Sequence, residues 1–240
     1  MKLDPYFKPY KKIIYTKPYK RTVKNKDNVL VIGDLHAPFT NKEYLQFVRH
    51  QQETYDCGTV IFIGDIADFH YSSYHEQDPD GFSAGEEATM TGMQLAEWYD
   101  MFPNATVTIG NHDLIIYRKM YTSGLSRRYA KSWNDLFCAP VGWQFLDKII
   151  INSVLYTHGV SAALKRSQDS RISVVQGHLH SLFYIQYSQS EINKIFSVQT
   201  GCGIDDESFA FGYAKNFNKK PVLGCSVILN KGTLPIIIPM

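Results

Sequence analysis

Five short stretches of this sequence join glycine to carboxylate, imidazole or amide side chains: Gly33-Asp34-Leu35-His36, Gly64-Asp65-Ile66-Ala67-Asp68, Gly110-Asn111-His112-Asp113, Thr157-His158-Gly159 and Gly177-His178-Leu179-His180. These groups hold divalent ions and move protons. Asn111 offers a neutral oxygen, His112 an imidazole able to carry a proton near neutral pH, and Asp113 a carboxylate. With no thiolate among them, the pool suits Mn, Fe, Co, Ni or Zn and disfavours a cysteine-rich structural zinc. Asp34 and His36 are two residues apart. If strand geometry persists that far, both side chains leave on the same side and can share one metal. His178 and His180 have the same spacing. Asp65 stands alone after its glycine and is free to bridge two ions. Two divalent ions about 3.5–4 Å apart polarise phosphoryl oxygens and lower the pKa of a bridging water, which suits phosphoester hydrolysis. His112 would then protonate the leaving group or stabilise developing charge.

Each stretch follows an apolar run rich in Val, Ile, Leu or Phe, so the elements that must position these groups are buried strands. The runs at 28–32, 59–63 and 105–109 read as strands, with a helix over 43–52 between the first two. Ser83 and Glu86 form a capping box for a second helix, whose stripe of Leu95, Trp98, Tyr99 and Phe102 ends at Pro103. Residues 113–137 read as helix broken at Gly124, with Arg118, Lys119, Arg127, Arg128 and Lys131 as a basic face of the kind that is ordinarily only solvated. From Lys148 onward strands dominate: 148–156, 172–176, 182–187, 195–199, 222–229 and 233–238, with one helix at 160–169. βαβ units followed by a strand-rich half predict an α/β protein of two packed sheets with helices outside. Catalytic groups at carboxyl ends of strands fit the general rule for α/β ligand sites.

The loop after Asp68 contains His70 and His75, each either a substrate-phosphate contact or a plain loop residue. Thr200-Gly201-Cys202-Gly203 is either a backbone wall of the site or a simple turn.

At 240 residues, with moderate charge and ample apolar side chains, the chain reads as globular. Residues 1–26 carry nine lysines and arginines against Asp4 alone, a net +8, which leaves −6 on the rest. This basic arm also holds Tyr6, Phe7, Tyr10, Tyr15 and Tyr19. It is expected to be a solvated arm packed along a domain spanning 27–240, the other reading being recruitment to single-stranded nucleic acid. Four scattered cysteines fit a reducing cytoplasm. The N-terminus lacks the apolar core of a signal peptide, and no apolar run is long enough to span a bilayer.

In their order and form the five motifs resemble the calcineurin-like metallophosphoesterase superfamily, from Gly33 to His180. The resemblance implies a four-layer αββα sandwich of two stacked mixed sheets flanked by helices. It implies two divalent metals, manganese first among the candidates, with a phosphoester, nucleotide or nucleic acid, as substrate. By motif, Asp34, His36, Asp65 and His180 would hold the first ion. Asp65 would bridge to the second, completed by Asn111, His158 and His178. His112 would be the catalytic histidine, Asp68 the carboxylate orienting its ring, and Asp113 a supporting residue. One departure matters. Where protein phosphatases of the superfamily carry Asp-Arg-Gly and a Glu after Asn-His, this chain has Asp68-Phe69-His70 and Asp113. The phosphate-gripping arginine is absent from its place, which moves the reading from protein phosphatase towards a phosphodiesterase. A phosphomonoesterase is the alternative on the same site, and a non-catalytic metal-binding scaffold the alternative of another class. The compact size resembles small stand-alone members, including some carried by bacteriophages, in which case the host cytoplasm is the compartment.

Overall fold

The computed structural model describes residues 25–74, 80–205, 207–208 and 219–240. Most of the basic arm, and His75, lie outside the described residues.

Four parallel strands run side by side in the first sheet: β1 (Val29–Ile32), β2 (Thr59–Phe62), β3 (Ala105–Thr108) and β4 (Trp143–Leu146). Two antiparallel strands extend it on the β1 side, β10 (Gly224–Leu229) and β11 (Leu234–Pro239), giving the order β11-β10-β1-β2-β3-β4. The second sheet has the order β5-β6-β7-β9-β8, built from β5 (Lys148–Ile151), β6 (Val154–Thr157), β7 (Ser173–Gln176), β8 (Tyr184–Gln189) and β9 (Lys194–Gln199). Its three inner strands are parallel and both edge strands antiparallel. Mixed sheets of this kind are the αββα arrangement expected.

The alternation of side chains along β1 shows how the layers stack. Val29 and Val31 point into a core shared with Val154, Tyr156, Val175 and Val198 of the second sheet. Leu30 and Ile32 point the other way, into a core with Tyr44 and Val48 of helix α1 (Tyr44–Thr54) and Leu95 and Trp98 of helix α2 (Ala84–Met101). Buried on both faces, β1 reads as a continuous apolar run, as parallel central strands do. Phe62 anchors the helix side, its ring 4.6 Å from that of Trp143 and 5.6 Å from that of Trp98. On the far face, helix α5 (Ala163–Ser170) packs against β7 and β9.

Some elements differ from the sequence expectation. The segment 113–137 is three pieces: α3 (Ile115–Thr122), a 3-10 turn (Arg127–Tyr129) and α4 (Trp133–Phe137). Ser126 and Ser132 each cap a new start, accepting the N–H of Arg128 and of Asp135. The single strand predicted over 148–156 is a hairpin. Asn152 and Ser153 both take positive φ, 50° and 60°, the backbone of a two-residue turn matched to strand twist. Strand β4 has no counterpart in the expectation.

Candidate metal centre

The groups singled out in the sequence converge at the carboxyl ends of β1, β2 and β3 in one sheet and of β6 and β7 in the other. Strand geometry does not persist to His36. β1 ends at Ile32, and His36 sits at φ 51°. Asp65, Phe69 and His178 are also left-handed, at 47°, 52° and 73°. Such conformations cost a non-glycine residue free energy and gather where a site demands particular side-chain directions.

The donor atoms fall into groups whose members all lie within 4.8 Å of one another. One comprises Asp34, His36, Asp65 and His180; another comprises Asp65, His158 and His178. Asp65 belongs to both. Its Oδ2 is 3.2 Å from His158 Nε2 and 3.7 Å from His36 Nε2, and its Oδ1 accepts the His112 N–H at 2.8 Å. Asn111 joins the second group, with Oδ1 2.9 Å from His158 Nε2. His180 Nε2 lies 2.9 Å from Asp34 Oδ2, which also accepts the His178 N–H at 2.9 Å. Asp34 Oδ1 is buried and has no hydrogen-bond partner among the described residues. A buried carboxylate with one oxygen against the His180 ring and the other left unbonded fits a cation, because burying that oxygen without a partner is costly.

Two glycines of the motifs are explained by close approach. A Cβ at Gly110 would strike the Asp65 carboxylate, and one at Gly177 the Asp34 carboxylate and Ile63.

The supporting contacts are as specific. Asp113 accepts N–H groups from Asp65 (2.9 Å), Ile66 (3.0 Å), Ala67 (3.4 Å) and Gly110 (2.9 Å), tying the β2 and β3 loops together. It thus holds the backbone that carries Asp65. Burial, and then the Asp65 charge, push its carboxyl up to about 7. Asp68 serves two rings: Oδ1 is 2.5 Å from His36 Nδ1 and 3.3 Å from His112 Nδ1. His112 Nδ1 also lies 2.8 Å from the Asp68 main-chain oxygen. The carboxylate expected to orient His112 therefore makes its shorter contact with His36. Gly203 donates its N–H to the Asp34 main-chain oxygen at 2.9 Å, so the 200–203 segment does close against the site by its backbone.

Electrostatics follow from this crowding. Burial works against charge on His112, but Asp68 and Asp65 outweigh it and lift the ring to about 10. His158, equally opposed by burial, is lifted to about 10 by Asp65 and Asp34. Burial and the charge of His112 hold His36 below its usual value, as a neutral ring suited to ligation. Asp65 and Asp68 sit well below the usual carboxylate range because facing histidines overcome their burial.

Sequence reasoning placed His70 as a substrate contact or a plain loop residue. It is buried, its ring edge-on to Phe39 and its Nδ1 3.9 Å from Asp68 Oδ2. Two residues were missed. Glu87, buried on α2, accepts the His70 and Tyr71 N–H groups at 2.6 and 2.8 Å and so fixes the loop after Asp68. Arg166, on α5, lines a cleft beside Asn111 and His158; its Nε is buried and makes no hydrogen bond among the described residues. Neither position carries a local pattern to reveal it.

A family model described as calcineurin-like phosphoesterase matches residues 28–211. No curated protein sequence matches the chain. Among solved structures, a single mutant of Vps29 from Entamoeba histolytica is 11% identical, with 89% of this chain and 99% of that one covered at a TM-score of 0.38. YfcE, a phosphoesterase from E. coli, is 14% identical, with 85% and 88% covered at 0.40. The nuclease MPE of Pseudomonas putida is 12% identical, with 88% and 86% covered at 0.40.

Proposed function

The chain belongs to the calcineurin-like phosphoesterase family, and we propose that it is a dinuclear metal-dependent hydrolase of phosphodiester bonds in a nucleotide or nucleic acid. The observation that carries this reading is the place of Asp65 in both donor groups, one carboxylate between two sets of imidazoles. Asp34, His36, Asp65 and His180 would hold one ion, and Asp65, Asn111, His158 and His178 the other. Oxygen and imidazole donors without thiolate suit manganese, with iron, zinc, nickel or cobalt as substitutes. When bound, such ions polarise the phosphoryl oxygens and activate water.

The remaining steps belong to side chains. His112 would carry the proton: Asp68 and Asp65 favour its charged form against burial, and without metal the ring is lifted to about 10. Its Nδ1 is engaged by Asp68, which leaves Nε2 to deliver that proton to the departing oxygen. Asp113 and Glu87 fix the loops that present Asp65 and Asp68. The absence of arginine after Asp68 supports the diester reading, since a diester carries one negative charge fewer to be gripped. Arg166 favours the phosphomonoester alternative, because a guanidinium at the cleft beside Asn111 could hold a terminal phosphate.

The test is hydrolysis of bis-p-nitrophenyl phosphate against p-nitrophenyl phosphate with Mn2+, beside Asp65→Asn. Faster diester cleavage, lost in the variant, supports the proposal. Faster monoester cleavage moves the assignment to phosphatase. No turnover together with no bound metal leaves a non-catalytic scaffold.

A further inference from the structure

We propose that the surface formed by Tyr74, helix α3 and the segment to Lys131 binds single-stranded nucleic acid and feeds it to the metal centre. This deepens the phosphodiester reading and rests on it for cleavage at the metal centre, while the binding itself stands on separate observations.

Charge is the first. Outside the basic arm the chain is acidic, yet residues 114–132 hold Arg118, Lys119, Arg127, Arg128 and Lys131 and no acidic residue. Aromatic exposure is the second. Residues 121–129 are all exposed. Tyr121 and Tyr129 are 74% and 73% accessible, and Tyr74 57%, although rings of this size are normally half covered. Basic side chains interleaved with open rings are what unpaired bases and their phosphates require: the rings stack on bases, the cations track the backbone.

Order is the third. Tyr117 donates its hydroxyl to the Lys131 carbonyl at 2.6 Å and packs edge-on against Trp133 at 4.5 Å, pinning the exposed segment to α3. Lys119 Nζ lies 4.1 Å from the Tyr74 ring centre and Arg118 Cζ 5.1 Å, which joins the surface to the loop after Asp68. Position is the fourth. α3 begins three residues after His112, and Leu114 lines the cleft beside Asn111. The surface therefore starts, at the head of α3, next to the cleft lined by Asn111 and His158.

The experiment is fluorescence anisotropy of a labelled oligo-dT with the full chain in EDTA, where hydrolysis cannot intervene. It compares wild type with Arg127→Ala/Arg128→Ala and with Tyr121→Ala/Tyr129→Ala, each checked for unchanged melting temperature. The arginine pair is expected to flatten the log Kd against log salt slope by about 1.4. The tyrosine pair is expected to weaken binding about tenfold or more. Duplex DNA of the same length is expected to bind more weakly than the single strand. Unchanged binding in both variants, tighter duplex binding, or no oligonucleotide binding by wild type each overturns the inference. Any of these leaves the phosphodiester reading to the small-substrate assay, which does not depend on this surface.

Discussion

His36 Nδ1 stands 2.5 Å from Asp68 Oδ1, with both side chains almost wholly buried. The contact fixes which ring nitrogen donates, so Nε2, turned towards Asp65, would be the ligand atom. The same carboxylate reaches His112, so one residue contacts both a proposed metal ligand and the proposed acid. Asp68→Ala is expected to lower Mn2+ affinity about 10–100-fold by titration calorimetry. It should also lower diester turnover at saturating metal, because His112 loses its anionic neighbour. Restored turnover at high Mn2+ would confine Asp68 to the ligand role.

Gly110 faces the Asp65 carboxylate with no room for a methyl group. Gly110→Ala must push that carboxylate aside or shift the β3 loop. The expected cost is about 1–3 kcal/mol, read as a lowered unfolding midpoint. Metal binding should suffer as well, since the displaced group is the proposed bridge. Gly85→Ala is the control: a Cβ there meets nothing, so it should leave metal binding unchanged and should not lower the midpoint.

The metal-free protein should show a stability window on the acid side of neutrality. His158 and His112 are lifted to about 10 from an ordinary value near 6.5. A raised folded value means their contribution is complete below 6.5 and is lost as pH climbs through 10. Asp113, lifted to about 7, adds the same sign of change at lower pH. Asp65 and Asp68 are lowered, so their contribution is lost only as pH falls well below 4. His36, held below its ordinary value, works the other way and costs stability as pH falls below 6.5, so melting temperature in EDTA should peak near pH 6 and decline towards pH 10. With His158 a ligand, as proposed, bound metal would replace its proton, so saturating Mn2+ should remove the His158 share of the alkaline decline. A flat profile in EDTA would show that these charges do not couple to folding.

The layers and the convergence of the donor residues were legible because their signals are local. An apolar run followed by glycine and Asp or His places a donor at a strand end, and each such motif lies within a handful of residues. What escaped depended on distance or on weak local cues. β4 is four residues, WQFL, and its strand character comes from pairing with β3. The three-way division of 113–137 was signalled by Ser126 and Ser132, but a basic helical period masked them. Glu87 supports a loop that begins 17 residues earlier in the chain, through main-chain donors that no side-chain pattern encodes. The fixed orientation of Asp68 towards His36 likewise depends on the left-handed turns at His36 and Phe69.

Arg166 offers the most direct way to separate the two phosphoester readings. It projects from α5 into the cleft with Asn111 and His158, while its Nε makes no hydrogen bond among the described residues. A guanidinium left in this state gains most from an anion that accepts two parallel N–H bonds, and a terminal phosphate offers more such oxygens than a diester. Arg166→Ala removes a charge-assisted bond, expected to raise KM about 10–100-fold for the substrate that uses it. Arg166→Lys keeps the charge but loses the fork, so only partial recovery is expected. A KM increase confined to p-nitrophenyl phosphate would assign Arg166 to a terminal phosphate and favour the phosphomonoesterase. An equal increase for bis-p-nitrophenyl phosphate would place it on a non-bridging oxygen common to both. Unchanged KM for both would take Arg166 out of the site and leave its buried nitrogen a feature of packing on α5.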